Sequence, residues 1–177
     1  MSGLQREIGK VAKNLPAAGA GWEFVAATTI TATQYLTFAF AAGYSYMVEI
    51  NYGVPVDDAV YLRCQLSQAA SYLVGATDYQ DENDGATTSL LVGGPAGNQA
   101  DEGFTGFIHF IQPNVAATIK RAWGLSRHGL AANTEGKSHF GGRLDLNTTA
   151  CDAARLYWAT GNWQALGFAY LFRRILS

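Results

Sequence analysis

The chain has 177 residues, of which 49% are hydrophobic, 12% aromatic and 15% charged, and its formal net charge is −2. This length suits one domain with its own core, and the low charge with abundant glycine and tyrosine favours a β-rich fold over a helical bundle. Because no apolar run approaches the roughly 20 residues of a membrane helix and no signal-peptide core follows the N-terminus, we expect no membrane insertion and synthesis in a cytoplasm.

The small net charge hides a gradient along the chain. Residues 78–102 carry six acids and no base, whereas residues 120–174 carry eight Lys and Arg against three acids. The bases are spread over several predicted strands instead of forming one patch, so we expect no nucleic-acid partner. In an assembly, the acidic segment of one subunit could meet the basic segment of another.

The first residues predict a short amphipathic helix. Ser2 and Gln5 have the spacing of a capping box, and Pro16 ends the pattern. A heptad-like seam follows the spacing 4, 3, 4 and consists of Leu4, Ile8, Val11 and Leu15. So short a helix is marginal alone in water and requires a partner surface: its own domain, sister subunits or a larger particle. We therefore predict an N-terminal assembly arm at residues 1–21 and a single domain at residues 22–177.

From Trp22 onward the hydrophobic period is two. The alternation predicts about nine or ten short strands separated by Gly, Pro, Asn or Asp, which is typical of an all-β antiparallel β-sandwich, jelly-roll-like. The three clearest strands predict buried faces formed by Leu36, Phe38, Phe40; Tyr46, Val48, Ile50, Tyr52; and Val60, Leu62, Cys64, Leu66. Glycine-rich segments at 81–89, 92–103 and 126–142 are predicted to be loops.

The adjacent carboxylates Asp57 and Asp58 raise the question of catalysis. A glycosidase needs two carboxylates facing each other across a sugar, roughly 5–10 Å apart, and neighbouring residues in a strand or turn diverge. With Pro55 just before them, they indicate a strand connection with turn chemistry. We therefore expect no catalytic residues here.

The remaining polar motifs also favour a protein without cofactors. His109 alternates within a strand, His128 and His139 lie in or near a predicted loop, and no pair has metal-ligand spacing. The sequence contains neither a nucleophile elbow nor a phosphate-binding glycine loop. Residues 78–85 are acidic and could hold Ca²⁺, but the closing Glu of that loop pattern is missing, which favours a solvated loop.

Two residue types remain, cysteine and tryptophan. Cys64 and Cys151 have no short-spaced partners, so they are expected to be reduced packing residues. Of the four tryptophans, Trp163 in "TGNWQALG" is expected in a turn, where it could contact a glycan, and the other three are expected in the core.

The strand texture resembles a family of bacteriophage virion proteins known as tail-fibre or structural proteins. The similar segments are "WEFVAATTITATQYLTF" (22–38), "YMVEINYGVPVDDAVYLRCQLS" (46–67), which matches at Asn51, Pro55, Asp57 or Asp58, Leu62 and Arg63, "GFTGFIHFIQPN" (103–114) and "GFAYLFRRIL" (167–176). In the third segment the family's Asn-Pro is reversed to Pro113-Asn114. In the last, Gly167 and Leu171 are kept, whereas the family's closing Tyr-Gly is replaced by Phe172-Arg173. The resemblance spans residues 22–174 and brings no catalytic residues.

The resemblance implies a sandwich domain on the surface of a phage particle, commonly oligomeric. The expected function is that of a non-enzymatic virion structural protein, either a tail-fibre or spike subunit or a capsid-decoration subunit. We expect a homotrimer whose other partners are capsid or tail proteins and a host-surface glycan. The alternative expectation is a carbohydrate-binding β-sandwich module.

Overall fold

A computed structural model describes residues 21–81, 86–99, 102–131, 134–144 and 148–175. The described residues form an all-β protein, and the predicted arm lies outside them except for Gly21. The strands are β1 Glu23–Thr29, β2 Leu36–Ala39, β3 Tyr44–Gly53, β4 Val60–Gln68, β5 Ser71–Tyr72, β6 Tyr79–Asp81, β7 Ala86–Thr87, β8 Leu90–Ala96, β9 Phe104–Ile111, β10 Arg121–Ala131, β11 Thr134–Leu144, β12 Ala153–Trp158 and β13 Phe168–Ile175.

The strands form two antiparallel sheets. The large sheet has the order β1-β13-β3-β9-β10-β11-β6-β7, and the small sheet has the order β2-β12-β4-β5, with β8 also paired to β4. The small sheet lies over the large one, and aromatic side chains meet between them: the rings of Phe104 on β9 and Trp158 on β12 are 6.2 Å apart. The architecture is therefore a β-sandwich, with more strands than the sequence predicts.

The core consists of the inward faces predicted from the alternation. Every predicted residue of β2 and β4 is buried, as are Tyr46, Val48 and Ile50 of β3. Tyr52 differs and is only half-buried, because the pairing of β3 with β9 shifts register between Ile50 and Gly53 and Tyr52 itself has a φ of 68°. Tyr79 on β6 of the large sheet links the two sheets, because its hydroxyl accepts a 2.7 Å hydrogen bond from the amide of Leu66 on β4.

The predicted loop at 126–142 is wrong. Residues 126–131 and 134–142 belong to the long hairpin of β10 and β11, which pair from Arg121↔Arg143 to Ala131↔Thr134. The segment at 92–103 likewise contains most of β8. Glycine was interpreted as a loop signal, but several of these glycines serve close packing inside the strands.

His128 illustrates this packing. It lies on β10 and not in a loop, with only 6% of its surface exposed. A Cβ atom at Gly94 on β8, or at Gly136 on β11, would overlap the imidazole ring. The two glycines thus make the space in which the ring lies, and burial lowers the pKa of His128.

Gly167 allows the start of β13 to pass close to β3. Its φ is +85°, and a Cβ there would collide with the main-chain oxygen of Tyr52. We expect Gly167→Ala to lower the free energy of unfolding by at least about 2 kcal/mol, because it combines backbone strain with a steric clash. Urea denaturation measures this.

Gly141→Ala is the matched control for that experiment. Gly141 also belongs to the large sheet, and the nearest heavy atom to a Cβ there is the oxygen of Ala122 at 4.0 Å. We expect its stability to stay within about 0.5 kcal/mol of the wild type. Equal losses in the two variants would contradict the close approach at Gly167.

Candidate assembly surface

The outer face of the large sheet carries aromatic and aliphatic side chains where a solvated sheet normally carries polar ones. Direct cross-strand pairs continue from Phe24 through Phe172, Met47 and His109 to Trp123, across five neighbouring strands. The adjacent row runs from Tyr170 through Glu49 and Phe107 to Leu125. We define the candidate assembly surface as Phe24, Met47, Phe107, His109, Trp123, Leu125, Tyr170 and Phe172.

Ring contacts order the centre of this surface. The His109 imidazole is 4.9 Å from the ring of Trp22 and 5.3 Å from the ring of Trp123, both edge to face. Phe107 adds a third such contact with Trp123, at 5.6 Å. Because these rings hold one another on paired strands, the surface is preorganised and loses little side-chain freedom on binding.

The part of the surface on β10 is open to solvent, and the other six members of the surface are half-buried. Trp123 is 43% exposed and Leu125 is 51% exposed. Antiparallel sheets that face water alternate apolar-in and polar-out, and large contiguous apolar patches mark protein–protein contacts. Glu49 is the one charged residue among these two rows. The geometry therefore suits burial against another protein surface.

The imidazole of His109 behaves as a neutral aromatic ring. Burial is the larger cause of its lowered pKa, and the nearby positive charge of Arg174 lowers the pKa further. The Nε2 atom is buried without a hydrogen-bond partner inside the described part of the chain. Protonation of His109 would place a charge in the middle of the aromatic row.

Trp163 was expected in a turn and is instead in the core, with 0% of its surface exposed. Its indole lies 4.9 Å from that of Trp158, and a Cβ at Gly53 would overlap it. The expectation of exposure is therefore wrong, because Gly53 of β3 makes a buried place for the ring. Trp163 presents no face to a glycan in this structure.

Trp123 was expected in the core and is instead exposed. The sequence does hold a signal for this placement: along β10, the small residues Ala122, Gly124 and Ser126 alternate with Trp123 and Leu125. The small residues lie on the covered side, and Ala122 and Ser126 are buried. A strand whose small residues face the core must carry its large ones outside.

The acidic candidates are not brought together. Asp57 and Asp58 lie in the connection between β3 and β4, as predicted. The Asp78 carboxylate accepts a hydrogen bond from the Gly75 amide, and residues 82–85 of the calcium candidate lie outside the described residues. Within the described ranges, no three His, Cys, Asp or Glu residues are grouped as metal ligands.

Cys64 and Cys151 are buried and unpaired, as predicted. Burial raises the pKa of both thiols, that of Cys151 to about 11. Both are therefore protonated and unreactive at neutral pH.

Three of the eight basic side chains of residues 120–174 are satisfied within the subunit. Lys120 is 1% exposed, and its ammonium donates hydrogen bonds to the main-chain oxygens of Val115 and Thr118. Two arginines form ion pairs, Arg127 with Glu135 and Arg173 with Glu23. Contact between acidic and basic segments of different subunits stays a prediction.

The comparisons with known proteins add no relative: no family model matches the chain, and no curated protein matches it. In the described part of the chain, no helix is long and apolar enough to cross a membrane.

The lowered pKa of His109 predicts acid sensitivity. In the folded state its pKa lies below the ordinary 6.5, so the unfolded chain takes up the proton first as the pH falls. The stability contributed by neutral His109 is complete above pH 6.5 and is lost as the pH falls toward the folded pKa. We expect His109→Phe to reduce the loss of stability between about pH 7 and pH 5.

Urea denaturation at several pH values measures this effect. His128 keeps its own contribution, so the acid sensitivity should be reduced and not abolished. His139→Phe is the control, since His139 is exposed on β11. Unchanged acid sensitivity in His109→Phe would contradict the neutral, buried state of this imidazole.

Proposed function

We propose that the protein is a non-enzymatic bacteriophage virion structural protein, made in the host cytoplasm and displayed on the particle surface as a homotrimer. The candidate assembly surface is the observation that carries this proposal, because an aromatic face across five strands, with Trp123 and Leu125 exposed on β10, suits a protein partner. The resemblance of residues 22–174 to phage structural proteins is the reason for assigning the protein to a phage particle. The subunit contributes to particle assembly or stability.

The strand order supports the same proposal. The large sheet contains the order β1-β13-β3-β9, and the small sheet contains the order β2-β12-β4-β8. We infer from these two orders a jelly-roll arrangement, which viral capsid and lectin domains use. The additional strands β10, β11, β6 and β7 widen the large sheet, whereas β5 extends the small sheet, and β10 adds Trp123 and Leu125 to the outer face of the large sheet.

Within the class of virion proteins, a tail-fibre or spike subunit and a capsid-decoration subunit fit the candidate assembly surface equally. In either case, residues 1–21 would attach the domain to capsid or tail proteins through the seam of Leu4, Ile8, Val11 and Leu15.

A carbohydrate-binding module is the second candidate function. Tyrosines on the outer face of the small sheet favour it: Tyr61 is 42% exposed, and Tyr35 and Tyr157 pack edge to face. Such rings can stack on sugars. This candidate does not require self-association.

The solution mass tests the assembly surface. We expect the wild type to have the mass of a trimer by light scattering and Leu125→Glu to have the mass of a single chain. Leu125 is 51% exposed in the subunit, so a carboxylate there is solvated in the monomer and is buried unpaired only in the assembly. The urea midpoint of Leu125→Glu in dilute solution shows that the domain still folds.

Leu91→Glu is the matched control for this test. Leu91 is 37% exposed on β8, a strand of the small sheet, and should leave the trimer intact. A monomeric wild type, or a Leu125→Glu protein that stays trimeric, would contradict the proposed surface.

Deletion of residues 1–21 distinguishes formation of the trimer from attachment to the particle. We expect the truncated protein to stay trimeric, because all members of the candidate assembly surface lie within residues 22–177. The arm is then free to attach to the particle. A fall to the single-chain mass on truncation would instead assign the subunit contact to the seam of the arm.

A further inference from the structure

The outer face of the small sheet carries a second ordered cluster, opposite in character to the candidate assembly surface. Three tyrosines surround one arginine, and all four side chains are half-buried. We call this the tyrosine–arginine patch: Tyr35, Tyr72, Arg155 and Tyr157. It is located around the middle of β12, on the side of the sandwich away from the large sheet.

The guanidinium of Arg155 is held from several directions. Its central carbon lies 4.3 Å from the ring centre of Tyr35 and 4.1 Å from that of Tyr72. These cation–π contacts fix the plane of the group. The ring of Tyr35 is in turn fixed by an edge contact with Tyr157, at 5.8 Å.

A buried glutamine sets the remaining orientation. Gln65 is 5% exposed and is the cross-strand partner of Arg155. Its amide nitrogen donates to the main-chain oxygen of Thr88 at 3.0 Å, which directs its carbonyl oxygen toward the arginine. That oxygen accepts from Nε of Arg155 at 2.9 Å and from Nη2 at 2.7 Å.

Among the residues that the structure describes, Arg155 has no counter-ion. Across the described part of the chain, the ion pairs are those of Arg127 and Arg173, and Arg155 contacts no carboxylate. Gln65 uses one edge of the guanidinium, so the Nη1 side keeps its N–H donors. Arg63, the cross-strand partner of Tyr157, adds a second positive charge and donates a hydrogen bond to the hydroxyl of Ser89.

We propose that the tyrosine–arginine patch binds a carboxylated sugar of an acidic polysaccharide. A guanidinium with free N–H groups matches the planar geometry of a carboxylate, and tyrosine rings offer apolar faces to the sugar. The positive charges of Arg63 and Arg155 select against neutral sugars. The inference rests on the proposed function, in which the domain is displayed on a particle that meets a host surface.

The contact of Arg155 with Gln65 has a structural parallel in this chain, because Nε and Nη2 of Arg143 donate to Gln80 in the same way; the flanking tyrosine rings distinguish Arg155. Arg155 does tie Tyr35 before β2 and Tyr72 of β5 to β12. A neutral side chain or an acid-paired arginine would serve that purpose without an unpaired charge. The preorganised donors are the feature that points to a ligand.

Titration calorimetry with three defined probes tests the proposal: oligogalacturonate, which carries carboxylates, dextran sulfate, which carries sulfates, and maltohexaose, which is neutral. We expect saturable binding of oligogalacturonate by the full-length wild type and none of maltohexaose. Arg155→Gln should weaken oligogalacturonate binding at least about tenfold, because charge-assisted hydrogen bonds are lost. Arg155→Lys keeps the charge and should also weaken binding, because it lacks the planar donor pair.

Arg121→Gln is the matched control. It removes the same charge from an exposed arginine on β10 of the large sheet, and should change affinity by less than about twofold. Equal weakening by Arg121→Gln and Arg155→Gln would show nonspecific charge attraction and overturn the proposal. So would tighter binding of dextran sulfate than of oligogalacturonate, or no binding of any probe by the wild type.

Two further measurements complete the test. Thermal denaturation shows whether Arg155→Gln folds. If it does not fold, the affinities of the wild type and Arg155→Lys for oligogalacturonate are compared instead. Equal affinities of these two proteins would overturn the proposal. Light scattering of each variant reports on the proposed assembly independently of sugar binding. In one outcome, Arg155→Gln has a lower solution mass than the wild type, and the wild type binds no sugar. This outcome would show that the patch binds an acidic side chain of another copy, and it would also overturn the proposal.

Discussion

Large buried rings in this protein lie against glycines of neighbouring strands, and the tight packing of the sandwich depends on these pairs. Trp163 lies against Gly53 and Phe104 lies against Gly93. His128 occupies the space left by a glycine on each of two other strands. Protein interiors are close-packed, so a methyl group at such a glycine must displace a ring or a strand. The two sheets approach each other closely only because these side chains are missing.

The same pairs explain what the sequence could and could not predict. The alternation of β2, β3 and β4 predicted their buried faces, because a period of two assigns side chains to a face without knowledge of the partner strand. The inner part of the β10–β11 hairpin, residues 126–142, was predicted as a loop because its glycines contact residues distant in sequence. The exposure of Trp163 and the burial of Trp123 were predicted the wrong way round for the same reason. Whether an indole is buried depends on which strand lies beneath it. For Trp163 that strand carries Gly53, more than a hundred residues earlier.

The two outer faces of the sandwich differ in the kind of partner that they fit. On the large sheet, rings contact one another and the surface has little charge, which is suited to an extended protein contact that excludes water. On the small sheet, tyrosines contact an arginine that retains unused donors, which suits a small polar ligand. The β10–β11 hairpin contributes to the first face only, since it belongs to the large sheet. An insertion could therefore extend an assembly surface without altering a ligand site.

This separation has a consequence for affinity. If three copies associate through the large sheet, three tyrosine–arginine patches remain on the outside, because the small sheet lies on the other side of each sandwich. One patch with a single guanidinium donor edge offers few contacts and would bind one sugar weakly. A polysaccharide repeats its carboxylates, so the second and third patches bind at the high effective concentration set by the first. Weak individual sites on a multivalent particle then give tight attachment, and each contact can still open rapidly. The rigidity that Gln65 gives to Arg155 supports this mode of binding, since no ordering cost is repeated at each site.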